Sequence, residues 1–598
     1  MPVVIGLTFP APHDTSAAVI VDGRLVFATE EERHTRHKHS KGEPPINSLI
    51  QSLRFLSKLG MNPDDVDLFA INWDPKLLPL SMRRSWGVAL MNRYLAAGYM
   101  ESLTSMTSNF VRWTYHAFNF AEIAKFILKK AYRQIGSPFP VDARIVPVMH
   151  HLTHAAAAYY FSGFSSSAIL SIDGGGEREA TTIWKVKNGE FERIASIKVG
   201  DGSVGLLYDS VSERLGFDIF EGPGKVMGLA PYGRPDAKVS RRFQQVFNIL
   251  DNGDLPYILA ERFRKPRVIW MGDRDRMYGQ IADFLTEGFD LNWNTTDEPT
   301  ESAANLAWSL QNLSETIIEA TARWTKEHTS ENKICLAGGV ALNAKANMNL
   351  HYSKIFDDMF VFPCASDAGC SVGAAAYAYE HFLGEKMKHG RLNDVYFGPE
   401  YDDRIVKDTV TRGKWNSEYI GDDVGRVAEL VSEGKVIAWY QGRAELGPRA
   451  LGDRSIVADP TKKETWKVLN RIKGREFWRP LAPSVLDEDK EIYFKEPTDH
   501  RFMILMFKMT EEGAKRAPAV CHVDMTARPQ MVVRGDNKRW YELIKSFKDL
   551  TGEGIIVNTS FNLAGEPMVE TPREAMVSFA LGGFDALYLQ GWLVRKNS

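Results

Sequence analysis

Cysteine is scarce in this chain of 598 residues: Cys335, Cys364, Cys370 and Cys521 are all there are. None forms a C-x-x-C pair and three lie in apolar or small-residue runs, so neither a disulfide framework nor a structural zinc site is expected, and a reducing cytoplasm fits best. The first eighteen residues lack a basic leader followed by an apolar stretch, so no signal peptide is read there. No run of about 18 uncharged apolar residues occurs, so no membrane-spanning helix is expected. There is no G-K-[ST] to build a P-loop, no H-E-x-x-H to build a metallopeptidase helix, and no short repeat or low-complexity tract. A strong charge of one sign is lacking too: 73 Lys and Arg stand against 76 Asp and Glu, a net −3 that by itself suggests neither nucleic acid nor a membrane surface. What remains, 44% hydrophobic and 25% charged, is ordinary for a soluble globular protein. Single cores stop growing at roughly 250–300 residues, so two or three folded units are expected.

The chain opens as strand (Val3–Thr8), polar turn (His13-Asp14) and strand (Ala17–Ile20), with Asp22-Gly23 as a hairpin turn into Arg24–Ala28. A similar unit recurs at Ser167–Ile172, Asp173–Glu177 and Ala180–Val186, which suggests a duplicated fold with a ligand between its halves. Residues 78–147 interrupt the pattern and read as an aromatic, helix-like and basic insertion, nine Lys and Arg against three Asp and Glu, either solvated helix faces packed on a core or an acceptor-binding surface. Leu336–Asn343 is another strand and glycine turn, and Ala365–Ala376 a turn followed by a small-residue helix. The polar stretch Gly384–Gly398 places a boundary between residues 1–390 and 391–598; the second part alternates strands (Val436–Tyr440, Ile555–Asn558, Ala586–Leu589) with helices.

His150 and His154 are spaced so that both imidazoles share one helix face and can meet one metal. Asp173 and Asp367 open two further turns; two histidines with one or two aspartates make a mixed N/O site suited to Fe, Zn or Mn. The bland alternative is ordinary histidines and aspartate helix caps. The turns at Asp173–Glu177 and Ala337–Val340 let backbone N–H groups approach phosphate closely, or simply reverse the chain.

Taken together, the residues resemble the nodulation-protein and antibiotic O-carbamoyltransferase family. The matching stretches are His13–Ala17, Glu31–Arg33, His150–His154, Asp173–Glu177, Gly224–Gly233, Gly338–Asn343 and Ser366–Gly369, and the family's spacing of 23 from first motif histidine to metal aspartate is met by His150 and Asp173. The resemblance implies a two-lobed actin-like ATPase domain, then a smaller twisted α/β domain of the threonylcarbamoyl-adenylate synthase type. It raises His150, His154, Asp173 and Asp367 to expected ligands of Fe (or Zn or Mn). In the second part, Lys473-Gly474-Arg475 and Ser560-Phe561-Asn562 match that synthase's K-x-R and S-x-N signatures, and Gln441 through Arg454 match the family's arginine-rich stretch. Arg528 falls in its expected segment, where Met525 stands in place of a usual glycine.

The resemblance implies that carbamoyl phosphate and ATP, with Mg, form carbamoyl-adenylate, and that its carbamoyl group passes to a hydroxyl. Joining two polyanions needs positive charge; Arg443, Arg449, Arg454, Lys473, Arg475 and Arg528 are expected to supply it, with Ser560 and Asn562 lining a strand end. Arg449, Lys473 and the turn histidine His13, as base toward the acceptor, are the expected catalytic groups. Gly174, Gly175, Lys225, Gly338, Gly339 and Asn343 are expected around the adenylate in the first domain. The acceptor is read as a small molecule (a sugar, an antibiotic or another natural product). A 5-hydroxymethyl pyrimidine in DNA is the alternative, because the 78–147 stretch mixes basic groups with aromatics that stack on bases. No membrane partner is expected, and a homodimer stays open. A non-carbamoylating actin-like ATPase or kinase is the competing class, against which the histidine pair and the synthase-like half both argue.

Overall fold

The computed structural model describes residues 1–74, 76–77, 120–140, 142–250, 253–266, 271–413 and 415–596. β1 (Val3–Leu7) and β2 (Ser16–Val21) are buried along their whole length, as their near-continuous apolar sequences require. Asp22 and Gly23 turn β2 into β3 (Arg24–Glu30) with φ of 49° and 72°, the two positive values a type I′ hairpin takes. After α1 (Glu31–Thr35) and α2 (Ile46–Lys58), β4 (Leu68–Ile71) returns parallel to β1.

The stretch expected as an insertion divides here. Residues 78–119, which hold Arg83, Trp86, Arg112 and Trp113, lie outside the described residues. From 120 on, the chain belongs to the lobe. α3 (Phe120–Ile135) buries Ala124, Ile127, Leu128, Ala131 and Tyr132, an i, i+3, i+4, i+7, i+8 stripe, in the core it shares with α2. β5 (Arg144–Pro147) then pairs in parallel with β4, so the sheet order is β3-β2-β1-β4-β5. α4 (His150–Tyr160) follows.

The second lobe repeats this plan. β6 (Ser166–Ile172), β7 (Glu179–Lys187) and β8 (Glu190–Lys198) form the antiparallel meander; β9 (Lys333–Ala337) and β10 (Asp358–Val361) add in parallel, giving β8-β7-β6-β9-β10. Between β8 and β9 run helices, among them α5 (Val204–Arg214) and α6 (Gly222–Leu229). α7 (Cys370–His381) follows β10 as α4 follows β5. Two sheets of identical strand order and sense, each followed by one of two packed helices, make the two-lobed actin-like ATPase architecture. The helices approach closely because Gly373 has no side chain: a Cβ there would lie 1.8 Å from the Thr153 carbonyl oxygen. Alanine runs on both helices, Ala155–Ala158 and Ala374–Ala376, complete that contact and are fully buried.

The third unit is a twisted α/β domain. Its sheet holds β11 (Asn416–Tyr419), β12 (Ile437–Tyr440), β13 (Arg454–Ala458), β14 (Ala482–Leu486), β15 (Gln530–Val532), β16 (Ile555–Ser560), β17 (Ala586–Leu589) and β18 (Trp592–Arg595), in the order β11-β18-β17-β12-β13-β16-β14-β15. The fold is therefore α/β throughout, in two lobes and a smaller domain. Among the described residues no helix is long and apolar enough to cross a membrane.

Arginines join this domain to the lobes. The buried Arg33 of α1 binds Glu30 at 2.8 Å and donates to the Gly447 carbonyl at 2.8 Å, while the Gly447 N–H donates back to Glu30 at 3.0 Å. Arg36 donates to the carbonyls of Pro567 and Met568. In the reverse direction Arg443 donates to the carbonyl of Val26, on β3, at 2.9 Å.

Candidate active site

The duplicated plan brings equivalent positions together. His13 follows β1 as Asp173 follows β6, and α4 and α7 begin beside them. His150 and His154 lie one turn apart on the buried face of α4; Asp367 sits in the 3-10 turn that leads into Cys370, the first residue of α7. His150 Nε2 is 3.6 Å from Asp367 Oδ1 and 3.4 Å from Asp173 Oδ2, and His154 Nε2 is 3.5 Å from Asp367 Oδ1. Donor atoms of His150, His154, Asp367 and Cys370 all lie within 4.8 Å of one another, in a fully buried setting. Two imidazoles, a carboxylate and a thiol converging without a normal-length hydrogen bond between them fit a divalent transition metal. Asp173 borders this set, since its Oδ1 accepts the Gly339 N–H at 2.8 Å.

Local structure fixes these ligands. Glu177, the last residue of the glycine turn, accepts the N–H groups of His150 (3.0 and 3.2 Å) and Asp74 (2.9 Å) and so caps the start of α4. Trp73 stacks on the His150 ring at 4.6 Å. Burial opposes the charged form of His150, but Asp367 and neighbouring acidic groups outweigh it and hold the pKa up to about 9; His154 is raised likewise. His151 faces away, bonded to Ser171 and to the Glu179 carbonyl, and burial with the His150 charge lowers its pKa to about 3.

His13 turns toward the same centre. Burial disfavours its proton, yet Asp14 at 3.4 Å, and then Asp367 and Asp173, raise its pKa to about 9. Asp14 also binds His39 Nδ1 at 2.8 Å. Opposite lies Asp209 of α5, whose carboxyl burial lifts to about 8; His13 works against that shift.

The expected nucleotide turn is tightly built. Gly338 has φ 85°, and a Cβ on it would lie 2.2 Å from the Ile172 carbonyl oxygen. Ser203 donates to the Gly174 carbonyl at 2.8 Å, and Gly175 faces Arg274, whose Nε is buried without an acceptor. Asn343 caps the next helix through Ala346 N–H and pairs with Gln311. Lys225, on α6, does not join these turns: its ammonium binds Glu476 of the third unit at 2.9 Å and Glu221 at 3.6 Å.

In the third unit Lys473, at the end of its helix, donates to Ser560 Oγ (3.1 Å) and Asn562 Oδ1 (2.8 Å) at the end of β16. Burial pushes its pKa well below the usual lysine value, and Arg475, Arg479 and Lys38 push further. Arg449, Arg475 and Arg528 are depressed in the same way, first by burial and then by Arg479, to about 10 for Arg449 and about 9 for Arg475; Arg449 and Arg475 add to the lowering of Arg528. Arg449 Nε and Arg475 Nη2 are buried without any acceptor. Clustered buried cations with donors left over are the arrangement that an anion site requires.

Two expected arginines are not brought to it. Arg454 is fully buried over the Tyr440 ring at 3.8 Å and donates to the Gln441 carbonyl. Arg443 donates to the carbonyls of Gly398, Phe397 and Val26 and stacks on Phe55. Arg454 holds the start of the loop that presents Arg449, and Arg443 ties that loop to β3 and to residues 397–398. The sequence reading missed Arg479, Lys38 and Cys370. Arg479 stands four residues beyond Arg475 with no motif of its own, Lys38 belongs to the other domain, and Cys370 looked like a small apolar residue. Lys38 and its neighbour His39 lie between the two sites, within electrostatic reach of Lys473 on one side and bonded to Asp14 on the other. Met525, at the family's glycine position, keeps a left-handed backbone with φ 60°.

A two-lobed α/β domain with a metal-competent His/Asp/Cys centre is thus joined to a domain with a buried cationic cluster. The family follows from comparison: residues 4–376 match the model described as carbamoyltransferase N-terminus and residues 428–596 the one described as carbamoyltransferase C-terminus, so the chain belongs to the carbamoyltransferase family. It is 35% identical over 593 residues to nodulation protein NolNO of Sinorhizobium fredii (strain NBRC 101917 / NGR234), covering 98% of this chain and 79% of that one. It is 36% identical to nodulation protein NolO of Bradyrhizobium diazoefficiens, over 75% of this chain and 79% of that one. Among solved structures, full-length HypF in the phosphate- and nucleotide-bound form is similar with a TM-score of 0.30 at 13% identity, over 63% of this chain and 55% of that one. The protein is a carbamoyltransferase enzyme.

Proposed function

We propose that this carbamoyltransferase is ATP-dependent and works through carbamoyl-adenylate. The observation that carries this reading is the group formed by Arg449, Lys473, Arg475, Arg479 and Arg528, with guanidinium donors buried and unmatched. Such a group holds adjacent polyphosphates and stabilises charge on departing pyrophosphate. Water takes the phosphoryl group of carbamoyl phosphate, leaving carbamate. A carbamate oxygen attacks the α-phosphorus of ATP, whose bond to the bridging oxygen breaks and releases pyrophosphate; Mg accompanies the ATP. The acceptor hydroxyl then attacks the carbamoyl carbon, AMP leaves, and the hydroxyl proton goes to His13 as general base, which must first lose the proton that its acidic neighbours hold up to a pKa of about 9, so transfer should rise with pH toward that value.

His150, His154 and Asp367, with Asp173 beside them, would hold Fe, Zn or Mn, which as a Lewis acid supplies polarisation of a carbamoyl oxygen. Asp14 orients the His13 ring. Burial raises the Asp209 carboxyl to about 8, against the pull of His13. The acceptor proposed is a small hydroxylated molecule; of the basic residues that would favour DNA, Lys125, Lys129, Lys130 and Arg133 belong to α3, which packs on the lobe, and the others lie outside the described residues.

The test is carbamoyl-phosphate-dependent ATP–pyrophosphate exchange. Arg449→Ala and Lys473→Ala should each abolish exchange and keep bound metal; near-normal exchange in both would overturn the assignment. His154→Ala should lose metal and carbamoyl transfer but continue exchange. Equal loss of both activities in a folded variant would argue against two chemical sites.

A further inference from the structure

We infer that Arg274 holds the phosphate of carbamoyl-adenylate in the first domain and stabilises it as AMP leaves. The inference rests on the proposed adenylate reading and deepens it by naming the group that meets the leaving phosphate. Arg274 lies on the helix Met271–Thr286, in the segment between β8 and β9. Its guanidinium lies against the glycine turn that follows β6: a Cβ on Gly175 would be 2.7 Å from Arg274 Nη1. Arg274 Nε is buried without an acceptor, and among the described residues the guanidinium has no ion-pair partner. Burial lowers its pKa against the opposing pull of Asp275, Tyr278 and Asp173. A guanidinium nevertheless stays charged in a protein, and a buried cation without a partner is costly. An anion therefore belongs beside it.

The surrounding frame fixes the arginine before any ligand arrives. Tyr278 stands one turn further along the same helix face and is fully buried. Its hydroxyl accepts the Ser203 N–H and donates to the Val199 carbonyl at 2.7 Å. Ser203 in turn donates to the Gly174 carbonyl at 2.8 Å, so helix and turn are tied together. A group held in place loses little freedom when it binds. The turn also adjoins the glycines expected around the adenylate, since the Gly339 N–H donates to Asp173 Oδ1 at 2.8 Å. A nucleotide seated on Gly338 and Gly339 thus has its phosphate beside Asp173–Gly175, under Arg274. In the transfer step the acceptor oxygen bonds to the carbamoyl carbon, and the bond from that carbon to the phosphate oxygen breaks. The electron pair stays on the phosphate, a monoanion becoming a dianion, while the hydroxyl proton goes to His13. A planar guanidinium offers parallel N–H donors to two phosphate oxygens, and its hold tightens as that charge develops.

The test measures AMP and adenosine binding to the full-length protein by calorimetry, in a Lys473→Ala background that weakens phosphate binding in the third unit. That protein should bind AMP more tightly than adenosine. Arg274→Ala added to it should cut the preference roughly 10–100-fold by weakening AMP alone, and Arg274→Lys should restore part of it. Native circular dichroism confirms that each variant is folded. No preference for AMP in the Lys473→Ala protein, a preference that Arg274→Ala leaves unchanged, or equal weakening of AMP and adenosine would each overturn the inference. Ribose 5-phosphate supplies the remaining arm: if Arg274→Ala weakens it and spares the AMP preference, the arginine serves an acceptor phosphate and the inference fails. Absence of carbamoyl-phosphate-dependent pyrophosphate exchange in the wild-type protein would overturn the adenylate reading itself, and this assignment with it.

Discussion

At the scale of single residues, identity and role separate most clearly among the arginines. Arg443, Arg449, Arg454, Arg475 and Arg528 look alike in the sequence, and spacing does not distinguish an arginine that holds a phosphate from one that holds a loop. The sign of the neighbouring charge does: Arg449, Arg475 and Arg528 are buried beside other arginines that push their pKa down, whereas Arg454 sits among Tyr440, Glu570, Glu445 and Asp453, and Arg443 donates to three carbonyls. The histidines were easier, because the spacing of His150 and His154 is itself the geometry of a shared helix face. Cys370 was hidden by its setting, small residues at a helix start, which serve packing and ligation equally well. A histidine far from the site carries a pH prediction. His500 Nε2 accepts the Ile504 N–H at 3.3 Å, so that nitrogen must be unprotonated, and burial followed by the Arg391 charge lowers the pKa from 6.5 to about 3. The unfolded chain therefore binds a proton that the native protein refuses between about pH 6.5 and 3, and stability falls as pH falls through that window. His500→Gln should flatten this acid limb in urea titrations across pH; an unchanged slope would contradict it.

At the scale of elements, the repeated strand–turn–strand unit was legible because its apolar runs and glycine turns recur, and β1, β2, β6 and β7 fall where they were expected. The end of the 78–147 stretch meets its plainer reading, a helix with one solvated face packed on a core, although it is part of the lobe and not an insertion. The stripe that α3 buries against α2 has helical period, but its charged residues drew attention to the exposed face instead. The register between α4 and α7 was not legible, because it depends on a contact between residues more than two hundred positions apart. Gly373 sets that register. Gly373→Ala should drive the Thr153 carbonyl aside, at a cost of about 1–3 kcal/mol for overpacking. Because both helices carry ligands, metal should be retained less well in the same variant. Chemical denaturation with metal analysis checks both outcomes, and unaltered metal affinity would show that helix spacing does not govern the site.

At the scale of the whole molecule, polarity suggests a division into a first part and a smaller second one, but says nothing of how the parts hold each other. That depends on arginines reaching carbonyls across the boundary. Arg33→Ala would leave Glu30 buried without its cation, and breaking one partner of a buried pair costs about 3–5 kcal/mol. It would also release the Gly447 peptide and loosen the loop that carries Arg449. Pyrophosphate exchange should then fall although Arg33 touches no substrate, with partial recovery in Arg33→Lys; undiminished exchange would show that the loop stands alone. The reciprocity of these contacts, Arg33 and Arg36 reaching one way and Arg443 the other, has a topological consequence. Each half carries donors that only the other can satisfy, so a chain nicked between residues 384 and 398 would not fall into two free proteins. Its fragments would behave as complementary strangers, poorly soluble apart and reassembling on mixing, with the peptide link between them serving only to raise their local concentration.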